Sequence, residues 1–179
     1  MKGKHFEILV IWSIVTVFLF SLGINGSNFI KGTESETYSF ISKMGSKGSG
    51  DGQFDIPHTI GFDPSGNMYI TDTKNSRIQK FDSNGTFLTK WGSRGIEDGQ
   101  FMKPSGIDLD SSDNVYVVDK NTSLIQKFDS NGTFLTKWGS KGTGDGQFLE
   151  LEDIELNSLD NVYVSDRGTA SIQSFTKLR

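Results

Sequence analysis

The word Gly-Gln-Phe ends at Phe54, Phe101 and Phe148, so the chain repeats itself every 47 residues (101 − 54 = 148 − 101 = 47) without an insertion. No other feature restricts the fold as strongly. A fixed period of roughly 20 to 50 residues means that each unit is one supersecondary element that cannot bury its apolar side alone and must stack on its neighbours. The repeated phrase is long. Phe134-Leu135-Thr136-Lys137-Trp138-Gly139-Ser140 leads to Gly144-Asp145-Gly146-Gln147-Phe148, Phe87-Leu88-Thr89-Lys90-Trp91-Gly92-Ser93 leads to Glu97-Asp98-Gly99-Gln100-Phe101, and Phe40-Ile41-Ser42-Lys43-Met44-Gly45-Ser46 leads to Gly50-Asp51-Gly52-Gln53-Phe54.

Each unit reads as four short strands. The first is 59–63, with counterparts at 106–110 and 154–157. The second is Asn67-Met68-Tyr69-Ile70-Thr71, repeated as Asn114-Val115-Tyr116-Val117-Val118 and Asn161-Val162-Tyr163-Val164-Ser165, rich in the β-branched and aromatic residues that pleated surfaces favour. The third is 77–81, 124–128 and 171–175, and the fourth 86–91 and 133–138. Turn residues precede the second strand at Pro64-Ser65-Gly66, Ser111-Ser112-Asp113 and Ser158-Leu159-Asp160. Asn84-Gly85 and Asn131-Gly132 stand between the third and fourth strands, and predict hairpin turns with both central residues at positive φ. Twenty-one glycines among 179 residues suit many tight turns. Four-stranded antiparallel units recurring without helices predict an all-β chain of β-propeller blades.

The order of words (Ile-x-x-Asp, Asn-x-Tyr-x-x-Asp, Ile-Gln-x-Phe-Asp, Asn-Gly-Thr-Phe, Trp-Gly, Gly-Asp-Gly-Gln-Phe) resembles the NHL repeat three times over, across residues 40–179. The resemblance implies a closed propeller, usually of six blades, whereas this sequence has three units, a partial propeller. The third is the least regular, with Leu151 in place of Pro57 and Pro104. The repeats open on a fourth-strand word, Phe40–Met44, and the last unit reaches only its third strand. Unpaired edges invite another chain, so a homodimer closing one six-bladed ring is one expectation; a fragment of a longer chain and an open array are the others.

Residues 1–24 read as a leader. A short basic start (Lys2, Lys4) precedes 17 uncharged residues, Ile8–Ile24, which predict a hydrophobic helix serving as a membrane anchor or as a signal peptide cleaved near Ser21 and Gly23. In both cases the positive end stays inside, so the repeats are expected outside, membrane-anchored or secreted. Residues 25–38 read as a polar linker, and 39–179 as the repeat domain. The formal charge of −4 argues against nucleic acid as partner. Without cysteine there are no disulfides or thiolate metal sites.

Catalytic chemistry is sparse. His58 is the one imidazole in the repeats, and its counterparts are Ser105 and Glu152, so no Ser-His-Asp set repeats. Asp72, Asp119 and Asp166 recur once per blade; they could ligate calcium, but a per-blade Asp also fits a structural acceptor of turn N–H groups. Glycine-rich segments such as 48–52 lack the Lys-Ser/Thr word of a phosphate loop, and the acidic run Glu150, Glu152, Asp153, Glu155 reads as a solvated edge. Asn25, Asn84, Asn121 and Asn131 fit the N-glycosylation pattern. The sequence therefore predicts a non-catalytic module without a cofactor. It would bind a protein, peptide or glycan through loops that vary between blades: His58, Lys74, Asn75, Arg77, Lys120 and Asn121. The alternative that the resemblance allows is a metal-assisted propeller hydrolase or lyase.

Overall fold

The computed structural model describes residues 37–177. The chain divides into two units, Met1–Ser42 and Lys43–Arg179. Of the first, residues 37–42 carry no regular secondary structure. The expected hydrophobic helix at 8–24 and nearly all of the linker lie outside the described residues, among which no helix is long and apolar enough to cross a membrane.

The second unit is all-β. Two-residue strands β1 (Ser46–Lys47) and β2 (Gln53–Phe54) pair in parallel. Blade A follows as β3 (Pro57–Phe62), β4 (Met68–Asp72), β5 (Arg77–Phe81) and β6 (Phe87–Trp91), and blade B as β7 (Pro104–Leu109), β8 (Val115–Asp119), β9 (Leu124–Phe128) and β10 (Phe134–Trp138). Blade C contains β11 (Leu151–Leu156), β12 (Val162–Asp166) and β13 (Ser171–Phe175). Each of the three blade sheets is antiparallel in chain order. The third strands coincide with the sequence expectation. The first strands begin earlier than expected, because a bulge between Pro57 and Ile60, and again between Pro104 and Ile107, carries the ladder around a bend. The Phe40–Met44 word forms no strand among the described residues, since a strand needs an edge on which to ladder.

The hairpin turns differ from the expectation in one respect. Gly85 and Gly132 have positive φ (84° and 88°), but Asn84 and Asn131 do not. Asp82 Oδ1 accepts the N–H groups of Asn84 (2.9 Å) and Thr86 (2.7 Å), and Gly85 N–H bonds back to Asp82 O. Asp129 does the same for Asn131 and Thr133. The carboxylate holds a type I turn closed by a single left-handed glycine, the G1-bulge arrangement, so the asparagine keeps negative φ.

The core lies between blades. Tyr69 and Ile78 of blade A meet Phe101, Ile107, Val115, Val117 and Phe128 at the B side, with Trp91 and Leu109 packed against them. One repeat on, Tyr116, Val118 and Ile125 meet Phe148, Leu151, Ile154, Val162 and Val164. Side chains alternate along each strand, so each blade has two apolar faces and buries one against each neighbour. Each fully buried Ile, Leu or Phe contributes about 1.5 to 3 kcal/mol.

Candidate functional site

Three sets of repeated polar side chains fasten each blade, and they are occupied in doing so. Asp119 accepts N–H groups from Met102 (2.6 Å) and Lys103 (3.1 Å) in the loop before its blade, and from Asn121 (3.0 Å) and Thr122 (3.3 Å) in the turn after it. Asp166 repeats this with Leu149, Glu150 and Gly168, and Asp72 accepts from Asp55 N–H. Gln79, Gln126 and Gln173 each accept one loop N–H, from Gly52, Gly99 and Gly146, and donate to a loop carbonyl, of Gln53, Gln100 and Gln147. Asp63 and Asp110 anchor the turn before the second strand and accept from Tyr69 and Tyr116 hydroxyls; in blade C Asn157 anchors the turn with Oδ1 and its Nδ2 donates to the Tyr163 hydroxyl.

The loops joining β4 to β5 and β6 to β7, with their counterparts in the other blades, form one face of the unit. Here the residues that differ between blades collect. His58 is exposed near the start of β3, with Nδ1 2.9 Å from Thr59 Oγ1. Lys120 Nζ donates to Glu152 Oε1, joining blade B to blade C. That hydrogen bond holds the Glu152 carboxyl below its ordinary value, and Arg167 and His58 add to the attraction. Arg167 pairs with Glu150 at 3.0 Å. Lys74 is exposed, 4.0 Å from Asp55, and Asn121, its counterpart in blade B and next to Lys120 in sequence, is exposed.

Asn75 and Arg77 do not belong to this free surface. Asn75 Nδ2 donates to Gly48 O and to the Asp72 carboxylate. Arg77 is buried, its Nε 2.8 Å from Asp72 and its remaining nitrogens on the carbonyls of Ser49, Gly50 and Gln53. It locks the 48–53 loop onto blade A, a task that Leu124 and Ser171 do not perform in the other blades. The sequence reading omitted Arg167 and did not group it with Lys120, although Thr73, Lys120 and Arg167 occupy one repeat position and vary in charge.

The acceptor asparagines Asn84 and Asn131 are exposed at hairpin turns on the opposite face, while Asn121 shares the face of His58 and Lys120; Asn25 lies outside the described residues. Where blades B and C meet along their inner strands, Glu155 is pushed up by burial and by Asp108 and Asp153. Among the described residues, no group of three or more His, Asp or Glu side chains stands together as metal ligands. The recurring Asp72, Asp119 and Asp166 spend their oxygens on loop N–H groups, joined at Asp72 by the Asn75 amide and the Arg77 guanidinium and at Asp166 by the Thr169 hydroxyl.

Comparison with known proteins agrees with this architecture. A family model described as a six-bladed β-propeller matches residues 110–176, and one described as the NHL repeat matches residues 54–81. A search of curated proteins found no match. Among solved structures, a protein of unknown function from Bacteroides thetaiotaomicron aligns at TM-score 0.51 with 18% identity, over 61% of this chain and 32% of its own. One from Bacteroides caccae aligns at 0.50 with 20% identity, over 67% and 42%. A luciferin-regenerating enzyme aligns at 0.49 with 16% identity, over 66% and 39%. This chain thus spans less than half the length of these structures, and the likeness is one of fold.

Proposed function

As a chain that belongs to the NHL-repeat β-propeller family, this protein is, we propose, a non-catalytic binding module that captures a protein, peptide or glycan on the face carrying His58, Lys74, Lys120, Asn121, Glu152 and Arg167. One observation carries the reading. The polar side chains that repeat from blade to blade are consumed by the scaffold, as at Asp119 and Gln126, whereas the exposed blade-specific residues His58, Lys74 and Asn121 lie on one loop face. Loops on a rigid scaffold are where recognition resides. The neighbouring cations and carboxylates suit a polar ligand that offers both charge and hydrogen-bonding groups.

The uncharged run at 8–24 supports display outside the membrane, either anchored or released, and exposed Asn84, Asn121 and Asn131 would then be accessible to glycosylation. A metal-assisted hydrolase or lyase would need several donors converging on one point, and the described residues bring no such group together.

The test is capture of members of a peptide library and a glycan array by the full-length chain, repeated with Lys74→Ala and His58→Ala. Selective capture, reduced about tenfold or more by either variant with an unchanged melting temperature, is expected. Capture that neither variant affects would place recognition elsewhere, and turnover of an ester or lactone dependent on added metal would replace binding by catalysis.

A further inference from the structure

The two ends of the blade array expose the surfaces that its middle buries. On blade C, Tyr163 and Ile172 are 40% and 72% exposed, whereas their counterparts Tyr116 and Ile125, and Tyr69 and Ile78, are buried. On blade A, Ile60 and Phe62 are 51% and 60% exposed, whereas Ile107 and Ile154, the counterparts of Ile60, are buried. The first set is the surface that A offers to B and B offers to C. The second is the surface that B and C offer in return. The ends therefore complement each other by the same residues that already form two interfaces within the chain.

The outer edge repeats this pattern. Blades A and B have a fourth strand, and among the described residues β13 has no partner on its second edge. A cavity of about 310 Å³ lined by Tyr116, Trp138, Val162 and Phe175 opens beside it. At the corresponding place between A and B sits the hairpin turn of blade B, with Gly132 against the ring of Trp91. The third copy of the fourth-strand word, Phe40–Met44, carries exposed Phe40 and Ile41. Met44 packs on the cluster of Phe54, Ile70 and Phe81 in blade A, as Trp91 and Trp138 pack on the clusters of blades B and C.

We propose that a second copy of this chain covers both ends: blade C of each packs on blade A of the other, and residues 40–44 of each add as a fourth strand to β13 of the other, closing a ring of six blades. The interface is head-to-tail and occurs twice about a two-fold axis, so it closes without open ends. The six blades agree with the family model matching residues 110–176. Across B and C, Asp108 Oδ2 accepts the N–H of Leu156 at 2.6 Å; by the 47-residue repeat, Glu155 and Phe62 N–H are the counterparts between copies.

The cysteine-free sequence allows a direct test. Gly61 of blade A faces Leu109 of blade B, where a Cβ would come within 2.8 Å of Leu109 Cδ1. The equivalent pair between copies is Glu155 and Phe62, and within one chain blade B stands between them. The full-length double variant Phe62→Cys/Glu155→Cys is expected, on oxidation, to run at twice the 19.8 kDa chain mass, whereas each single variant stays at chain mass. Light scattering of the unmodified chain should give the dimer. Ile172→Asp, at a site exposed in the single chain, should raise the dimer dissociation constant by about a hundredfold or more by burying an unpaired carboxylate. A monomer at every concentration without cross-linking would overturn the proposal and assign the ends to further blades from another segment or protein. A ladder of polymers would overturn closure. Neither outcome depends on whether the loop face binds a ligand.

Discussion

Residue by residue, repeat position decides role more than residue type does. Asp119, Asp110 and Asp129 are three aspartates of one blade with three different partners. Asp119 is buried and accepts four N–H groups from two loops, so Asp119→Ala should cost roughly 3 kcal/mol, because several buried donors lose their acceptor together; urea unfolding would measure this. At Asp110 burial alone would raise the carboxyl, but hydrogen bonds from Lys127 and Asn114 outweigh it and hold it at about 2. A depressed folded-state value contributes stability that is present above the ordinary value near 3.8 and lost as pH falls through about 2. Asp110→Asn copies the residue that blade C uses, Asn157. Unfolding curves between pH 5 and 2 should therefore show about 2 kcal/mol less acid-dependent loss for that variant.

At the scale of elements, the loops and turns carry the fold's tightest constraints. Gly132 has φ of 88° and a Cβ there would stand 2.5 Å from Trp91, whereas Gly146 has φ of 71° and open space around it. Gly132→Ala should lower stability by roughly 3 kcal/mol or more, combining left-handed strain with displacement of the indole, and Gly146→Ala by roughly 1 kcal/mol from strain alone. Thermal melts of the two variants separate backbone conformation from packing. Strand identity was legible because β-branched and aromatic residues alternate within each 47-residue unit. Turn geometry was less so: Asn-Gly suggested two residues at positive φ, and the carboxylate two positions earlier reduced this to one.

For the whole molecule, neighbours set local stability. In a stacked array each blade is supported only by those beside it, and blade B has one on either side. Amide exchange of the single chain should be slowest in β8 and β9 and fastest in β13, which has one strand partner and an exposed face. In the closed dimer the three blades should become nearly equal, so exchange measured above and below the dissociation constant reports the ring directly.

By itself the sequence determined the repeat length, the all-β blades, the order of strands within each and the aspartates that recur, because these follow from local pattern and period. It also marked His58, Lys74 and Asn121, which are exposed, and Lys120, which is largely covered by its pair with Glu152, as loop residues that vary. Tertiary structure decided what local pattern cannot express. Arg77 and Asn75 are polar and vary between blades just as Lys74 does, yet contacts with residues 48–53, nearly 30 positions earlier, consume them. Lys120 reaches Glu152, beside the Arg167–Glu150 pair, only because blades B and C are packed side by side. The same packing shows which apolar residues are covered in the middle of the array and uncovered at its ends, since burial belongs to a residue's neighbours across blades and repeats carry identical residues into unequal surroundings.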